Sequence, residues 1–330
     1  MITTELYDGQ GLGNQLWVYA ACRSIAEKLQ LPHRILNPDK FKGNSFLDID
    51  FGLEDTPKTD TETTKSALST FHEHIFYDEE LDYFSSDFDS AVLNLKPFTK
   101  IHGLFQSEDY FFGDLTLPKK YVKVKVIHLE KELVPDDCCI INFRGGEYKR
   151  HKNLILPKSY WHNAMRNMRN LYGIDKFTVV TDDPRYANAL FPELPVLKGG
   201  ITECYVALYQ ARYLILSNSS FSYFPVKTGI DKSFVIAPMH WARFGNKYSR
   251  WASPANLYQS WMWQDVNGLL HSYTDCLPEQ LSTKAHYHEN YYVSTQPSAV
   301  MNPGIRGYLP AWLKKPVKKG LSLLFPMHIG

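Results

Sequence analysis

Four short apolar runs in the second half of the chain constrain the fold most strongly. They carry no charged residue and are rich in β-branched, aromatic and leucine side chains, which is typical of strands buried on both faces of a parallel sheet. The runs are residues 139–143, 177–180, 213–216 and 234–237.

Helical patterns separate these strands. An amphipathic helix is predicted between the first two, with an apolar face made of Trp161, Ala164, Met165, Met168, Leu171 and Tyr172. A second helix is predicted at residues 203–212, before the third strand. Because strands alternate with helices, the sequence predicts an α/β protein with a doubly wound parallel sheet.

The start of the chain has the same order of strand, loop and helix. A strand ending near Tyr7 leads into the loop 8–15, and apolar residues then recur at four-residue spacing from Trp17 to Leu29. Pro32 ends this predicted helix, and residues 33–36 are a second candidate strand. A further strand is predicted at residues 122–126, and the polar stretch 56–64 is predicted to be a loop.

Polar and glycine residues follow directly after the predicted strands. Ligands of open α/β sheets bind outside the carboxyl ends of the strands, so this clustering predicts a binding site there. The segments that follow the strands are 8–15, 144–147, 181–184 and 217–220.

The glycine loop permits two interpretations. Gly9 and Gly11 begin a dinucleotide-binding fingerprint, but Asn14 stands where its third glycine belongs, which weakens a hydride-transfer function. A phosphate or sugar at the amino end of the helix remains an interpretation, and a simple tight turn is the alternative.

Arg144 is the strongest candidate for phosphate binding. It follows an apolar strand and precedes Gly145 and Gly146, and a guanidinium contacts phosphate oxygens in a planar, bidentate manner. The alternative is a structural ion pair with Glu147.

Two further segments carry both a functional and a structural interpretation. Asp182 and Asp183 suit a ribose diol, a guanine edge or a metal ion, but no third ligand at suitable spacing supports a metal. The serine-rich segment offers amides and hydroxyls to a phosphate through Asn218, Ser219, Ser220 and Phe221. Capping of a helix is the alternative in both cases.

Charge and targeting signals exclude some classes of protein. The formal net charge is +1 in 330 residues, so no basic surface predicts nucleic-acid binding. The cysteines are scattered and predict free thiols in a reducing compartment. The start shows no secretory pattern, so a cytoplasmic protein is expected. Residues 302–330 are basic and amphipathic, and they predict peripheral contact with the inner membrane face; a tail packed on the protein body is the alternative.

The motifs taken together resemble glycosyltransferase family 11, the α-1,2-fucosyltransferase type. The similar segments occur in the family's order and are 11–16, 102–111, 142–148, 181–184, 218–222 and 236–241. Three positions depart from the family pattern, with Asn142 in place of histidine, Gly145 of arginine and Glu147 of aspartate. Arg144 matches the arginine that the resemblance assigns to the donor β-phosphate.

The resemblance implies a GT-B fold, in which two Rossmann-like domains face each other across a cleft. It implies an acceptor-side domain at 1–130, a GDP-sugar domain at 131–270 and a C-terminal extension at 271–330. The implied reaction inverts the anomeric carbon, needs no metal or cofactor, and moves fucose from GDP-fucose to a glycan that is expected to be lipid-linked if the tail meets a membrane.

The resemblance also distributes the site residues. Donor-side residues are Gly11, Gly13, Asn14, Gln15, Arg144, Asp182, Asp183, Asn218, Ser219, Ser220 and Phe221. Acceptor-side residues are Gln106, Ser107 and Glu108, and the general base is sought among Asp8, Glu147 and His151. A transferase using another GDP-sugar and a non-catalytic carbohydrate-binding protein remain as alternatives, with a dehydrogenase as a more distant one.

Overall fold

The computed structural model describes residues 1–52, 69–78, 81, 83–151 and 154–293. The described strands are β1 (Ile2–Glu5), β2 (His33–Leu36), β3 (Leu47–Asp48), β4 (Ser69–His72), β5 (Ile75–Asp78), β6 (Tyr83–Ser86), β7 (Thr99–His102), β8 (Lys123–Val124), β9 (Cys138–Phe143), β10 (Lys176–Thr181), β11 (Tyr213–Ile215), β12 (Phe234–Pro238), β13 (Met262–Gln264), β14 (Leu270–His271) and β15 (Tyr292–Val293). The described α-helices are α1 (Leu12–Lys28), α2 (Leu117–Tyr121), α3 (Lys158–Tyr172), α4 (Pro184–Leu190), α5 (Ile201–Gln210), α6 (Tyr223–Thr228) and α7 (Tyr273–Asn290).

Two sheets of parallel strands form the two halves of the molecule. The N-terminal sheet has the order β2-β1-β7-β4, and all its pairs are parallel. The C-terminal sheet has the order β10-β9-β11-β12-β13-β14, in which only β14 runs antiparallel. These two α/β layers confirm the predicted fold class and provide the Rossmann-like pair that a GT-B fold requires.

The four apolar runs are strands because both of their faces are buried. Alternate residues of β9 enter different cores: Cys139, Ile141 and Phe143 pack with α3, whereas Cys138 and Ile140 join a larger cluster that extends into the N-terminal half. Trp17 of α1 shows this continuity, since its ring lies 4.2 Å from that of Tyr223. The larger of the two hydrophobic clusters therefore extends through both halves.

Three local predictions meet a different structure. Only Lys123–Val124 of the segment 122–126 is a strand, because Val126 begins a 3₁₀ turn and is exposed. On α3, Leu171 and Tyr172 are exposed at its last turn, where the buried face has already ended. The polar stretch 56–64 lies outside the described residues.

The chain returns to the N-terminal half after the second sheet. Helix α7 follows β14, and β15 then pairs with β5. Buried Asp78 of β5 forms an ion pair with Arg243 and accepts a 2.8 Å hydrogen bond from Tyr287 of α7. No helix in the described part of the chain is long and apolar enough to cross a membrane. Residues 302–330 lie outside the described part.

Candidate functional site

The carboxyl ends of β9 and β11 mark the point where the C-terminal sheet reverses its strand order. β10 lies on one side of β9 and β11 on the other, and such a switch point is where open α/β sheets form ligand crevices. The loops after these two strands meet, since the Tyr148 hydroxyl donates to the carbonyl of Asn218 over 3.0 Å. The predicted phosphate-binding segments therefore lie together.

Arg144 lies at this switch point and is paired with Asp182. Its Nη1 is 3.1 Å from Asp182 Oδ2, and both side chains are 27% exposed, so the pair remains accessible from the crevice. The alternative of an ion pair with Glu147 is not what the structure shows: the partner is Asp182, and Glu147 is exposed at the start of a 3₁₀ turn. The strand register explains why Asp182 is the partner of Arg144. Phe143 pairs with Thr181, so the residues that follow these two lie side by side.

The glycines after Arg144 make room for protein atoms. A Cβ at Gly146 would lie 2.5 Å from Asp182 Oδ2, and one at Gly145 would lie 2.9 Å from Tyr186 Cδ1. The Gly145 amide donates to Asp182 Oδ1 over 3.0 Å. The lack of side chains at these two positions therefore allows close packing around the Asp182 carboxylate.

Asp183 has the capping role that the sequence left open. It precedes α4, and its Oδ1 accepts a 3.1 Å hydrogen bond from the Tyr186 amide. Lys149 forms an ion pair with it and holds the pKa of the Asp183 carboxyl below its usual range. Among the residues that the structure describes, no group of three His, Cys, Asp or Glu could hold a metal ion.

The turn after β11 engages three of its amides in internal hydrogen bonds. Ser219 N donates to Ser217 O, Phe221 N to Ser219 Oγ, and Ser222 N to Ser219 O, over 2.9, 3.3 and 3.2 Å. The Ser219 side chain thus caps this turn, which is the structural alternative for the segment, and phosphate binding by the segment stays a prediction. The Phe221 ring lies 6.1 Å from that of Tyr205, in an edge contact.

The side chain of Asn218, in the same turn, makes no hydrogen bond to the described residues. Its side chain is buried, and neither its carbonyl nor its amide nitrogen has a partner within the described part of the protein. An unpaired buried carboxamide costs about 1–3 kcal/mol, so a ligand or a bound water is expected to pair with it. Next to it along the chain, Ser217 Oγ donates to Asn142 Oδ1 over 3.3 Å.

Asn14 joins three segments that are far apart in sequence. Its Oδ1 accepts hydrogen bonds from Ser220 Oγ over 2.6 Å and from Gln106 Nε2 over 3.0 Å. The preceding Gly13 packs directly on the serine turn, since a Cβ there would lie 2.4 Å from the carbonyl carbon of Ser220. The amino end of α1 therefore connects the N-terminal half to the donor-side loop.

Gly11 and Gln15, the other residues of the first motif, have different surroundings. A Cβ at Gly11 would meet nothing within 4 Å, so the loop is open there. Gln15 is buried and tied to the backbone, donating to Lys40 O over 2.8 Å and accepting from Lys42 N over 2.9 Å. Gln15 thus holds the 40–42 segment rather than facing the crevice.

Ser107 and Glu108, expected on the acceptor side, are both buried in anchoring contacts. Ser107 Oγ accepts from Asp109 N over 3.2 Å and caps a short 3₁₀ turn. Glu108 accepts from the Tyr223 hydroxyl and the Gln259 amide, both over 2.9 Å, and pairs with Lys227 at 2.8 Å. Ser107 therefore stabilises its own turn, and Glu108 fastens the two halves together.

The three base candidates differ in position. Asp8 is 82% exposed and pairs with Lys40 at 3.0 Å, while Glu147 is exposed beside the Arg144 loop. The His151 amide donates to Tyr148 O over 2.8 Å, which places this residue at the end of the same loop. Tyr148 itself is a site residue that the sequence reasoning missed, although its position in the 142–148 motif was a signal for it.

Comparisons with known proteins give partial structural likeness only. No family model and no curated protein matches the chain. A mutant of Arabidopsis thaliana FUT1 in complex with GDP is 12% identical, with 71% of this chain and 70% of that chain covered and a TM-score of 0.43. Fucosyltransferase NodZ from Bradyrhizobium is 13% identical (68% and 91% covered, TM-score 0.40), and POFUT1 in complex with GDP-fucose is 9% identical (72% and 96% covered, TM-score 0.39). The fold assignment rests on the chain's own strand order.

Proposed function

We propose that this protein is an inverting, metal-independent glycosyltransferase that moves L-fucose from GDP-fucose to a galactoside hydroxyl of a glycan, with α-1,2 linkage. The observation that carries the proposal is that three separate motifs resembling family 11 are joined by hydrogen bonds. Tyr148 in the Arg144 loop contacts Asn218, and Ser220 in the same turn as Asn218 contacts Asn14. GDP and GDP-fucose are also named for solved structures above, but that likeness is too small to support the proposal.

The proposed chemistry assigns the leaving group to Arg144. Departure of GDP from the sugar builds negative charge on the β-phosphate, and a fixed guanidinium stabilises that charge without reorganisation. The ion pair with Asp182 holds the guanidinium in one orientation before the donor binds. The unpaired Asn218 carboxamide supplies a neutral donor at the same crevice.

The remaining roles follow from position. Asp182 and Asp183 are proposed to lie on the nucleoside side, and Asn14 near the diphosphate or the sugar. The acceptor hydroxyl then attacks from the face opposite the leaving GDP, which inverts the anomeric carbon. A general base assists this attack, and Asp8, Glu147 and His151 remain its candidates.

The base candidates are separated by substitution. Asp8→Asn, Glu147→Gln and His151→Ala remove one titratable group each, and loss of the base should lower kcat with little change in donor KM. Near-wild-type kcat in all three variants would exclude the whole set.

Two other functions remain to be compared with this one. A transferase using GDP-mannose fits the same phosphate contacts, because Arg144 does not read the sugar. A non-catalytic carbohydrate-binding protein is the second alternative, given the departures at Asn142 and Gly145. Release of GDP from GDP-fucose would exclude the second alternative, and the relative rates with the two donors would decide the first.

The experiment that tests the function is a ligand panel of GDP, GDP-fucose, GDP-mannose, UDP and NADH, with and without EDTA. A ligand that binds only the folded state raises its stability by roughly 2.7 kcal/mol at a hundred times Kd. Stabilisation by GDP and GDP-fucose with EDTA-insensitive GDP release is expected. Stabilisation by NADH alone, or by none of the panel, would refute the proposal.

The basic tail supplies a separate proposal, argued from sequence alone. Residues 302–330 are proposed to bind an anionic membrane surface from the cytoplasmic side, which would bring the protein to a lipid-linked glycan. Deletion of this segment should release the protein from liposomes that contain anionic lipid. Unchanged binding after deletion would remove the membrane contact from the proposal.

A further inference from the structure

The N-terminal sheet has a switch point of its own, and nothing above assigns a ligand to it. β2 lies on one side of β1 and β7 on the other, so a crevice is expected between the loops that follow β1 and β7. The residues at these two ends are in contact, because the rings of Tyr7 and His102 meet edge to face with centroids 5.8 Å apart. His72, at the end of β4, contacts His102 from the other side at 5.4 Å.

His102 is buried here with unused hydrogen-bonding capacity. It is 8% exposed, and its Nδ1 has no partner among the residues with described positions. Burial lowers the pKa of His102 to about 4, with further lowering by His72 and Lys100 and an opposing effect of Glu5. The ring is therefore neutral near pH 7, with one nitrogen that donates and one that accepts.

The charges around this crevice are paired with each other. Lys100 Nζ lies 3.2 Å from Glu5 Oε2, and the Tyr7 hydroxyl donates to the same oxygen over 3.2 Å. Asn37 donates to Glu5 Oε1 over 3.1 Å. A compensated carboxylate and a neutral imidazole make a poor phosphate site, but they suit a neutral ligand with hydroxyl groups. Sugars have such hydroxyls together with apolar faces that pack against aromatic rings.

The crevice is connected to the donor-side loop. The segment after His102 leads to Gln106, whose amide donates to Asn14, and Asn14 accepts from Ser220 of the donor-side turn. Gly103 in this segment is packed on Glu73, since a Cβ there would lie 2.5 Å from both Cβ and Oε2 of that side chain. The segment after His102 is thus linked to the donor-side turn through Gln106 and Asn14.

We infer that His102, with Tyr7 and His72, forms a subsite for a neutral pyranose ring of the acceptor glycan, in which the imidazole hydrogen-bonds a sugar hydroxyl. This inference rests on the proposed function, because it assigns the acceptor to the edge opposite the donor. His102 is here a binding and specificity residue rather than the general base, since a low pKa makes it a weak base.

The test compares His102→Phe with His102→Gln, using lactose and N-acetyllactosamine as probes. Binding of each sugar is measured by saturation-transfer NMR without donor, and GDP affinity is measured separately by calorimetry. His102→Phe keeps an aromatic ring but removes both nitrogens, and we expect sugar affinity to fall at least about tenfold, the size of one lost hydrogen bond. His102→Gln, which can donate and accept, should recover part of that loss.

Controls separate this inference from the proposed function. His162→Phe changes an exposed histidine on α3 and should leave the binding of both sugars unchanged. GDP affinity should stay within twofold in all variants, which also shows that they are folded. Unchanged sugar affinity in His102→Phe, or no sugar binding by a wild type that binds GDP, would overturn the subsite. If the wild-type protein does not bind GDP, the proposed function is overturned instead.

Discussion

The carboxyl edges of the two sheets have the same strand order around a switch point. They differ in the pKa shifts and the pairing of their ionisable groups. At the C-terminal edge, acids lie beside cations: Lys149 lowers the pKa of Asp183, and Arg144 pairs with accessible Asp182. At the N-terminal edge, burial raises the pKa of Glu73 to about 7 and lowers that of His102 to about 4. The C-terminal edge thus leaves a paired cation accessible, whereas at the N-terminal edge burial favours the neutral forms of Glu73 and His102 beside the compensated Glu5–Lys100 pair.

This difference indicates how one molecule can hold two unlike substrates. Accessible cations attract a nucleoside diphosphate, whereas an edge of neutral imidazole and aromatic rings does not compete for it. The shared core around Trp17 and the contact of Gly13 with the serine turn keep both edges on one cleft. On the proposed function, this difference would place the nucleoside diphosphate at the C-terminal edge and the neutral sugar at the N-terminal edge.

Removal of the accessible cation should have the largest effect. Arg144→Ala is expected to lower kcat/KM for GDP-fucose by about 10²–10³, or about 2.7–4 kcal/mol of barrier, by analogy with the loss of an oxyanion-hole donor. Arg144→Lys should recover only part, since an ammonium cannot make the bidentate contact. Arg169→Ala on the outer face of α3 is the matched control, and GDP release is the measurement. Equal activity of both alanine variants would remove the anion-binding role from this edge.

The buried proton at the other edge should appear in the pH dependence of stability. Glu73 has a raised pKa in the folded state, so its contribution is fully present below about pH 4.5 and is lost as the pH rises towards 7. Between these values the free energy of unfolding should fall by about 3 kcal/mol relative to Glu73→Gln, which keeps a neutral side chain. Urea unfolding of both proteins at pH 4.5, 5.5 and 7 measures the difference. A constant difference would mean that folding does not raise the pKa of Glu73.

The contact between the edges is tested with two glycines. Gly13→Ala would bring a Cβ against the backbone of Ser220 and Phe221, whereas Gly11→Ala points into open space and has φ −67°. We expect Gly13→Ala to lower the free energy of unfolding by about 1–3 kcal/mol and also to reduce activity. Gly11→Ala should cost under about 1 kcal/mol. Similar unfolding curves for the two variants would contradict the close contact.

The smallest effect is expected at the Asp183–Lys149 ion pair. Asp183→Asn keeps a side chain that can cap α4 but removes the charge, and Lys149 is half exposed, so the loss should stay under about 1 kcal/mol at pH 7. Because the pKa of Asp183 is lowered, this contribution should disappear as the pH falls below about 4. Thermal unfolding at pH 7 and pH 3 measures it. A larger loss at pH 3 than at pH 7 would reverse the assigned sign.

The strands could be predicted because burial on both faces leaves a continuous apolar run, as in residues 139–143. The location of the site could be predicted because its loops follow those strands. Hydrogen-bond partners could not, since they depend on which strand ends are neighbours. Arg144 pairs with Asp182 rather than Glu147 because of the register between β9 and β10.

The proposed subsite at His102 could not be predicted from the sequence for a similar reason. His102 belongs to the motif in which Gln106, Ser107 and Glu108 were predicted to be acceptor-side residues. Ser107 and Glu108 are instead buried in contacts within the protein. Nothing in the local sequence distinguishes an anchoring acid from one that faces a ligand. The unpaired Nδ1 of His102 is visible only when its neighbours are placed around it.

The contact of Gly13 with the serine turn also limits how this protein can be recombined. A donor half taken from another protein would place its own turn against α1. A Cβ added at Gly13 would already lie 2.4 Å from the carbonyl carbon of Ser220, so the backbone of that turn can change its path very little. Residue 13, Asn14 and the turn at 218–222 would have to be transferred as one unit. The boundary at which these halves can be exchanged therefore runs through three-dimensional neighbours rather than through a single position in the chain.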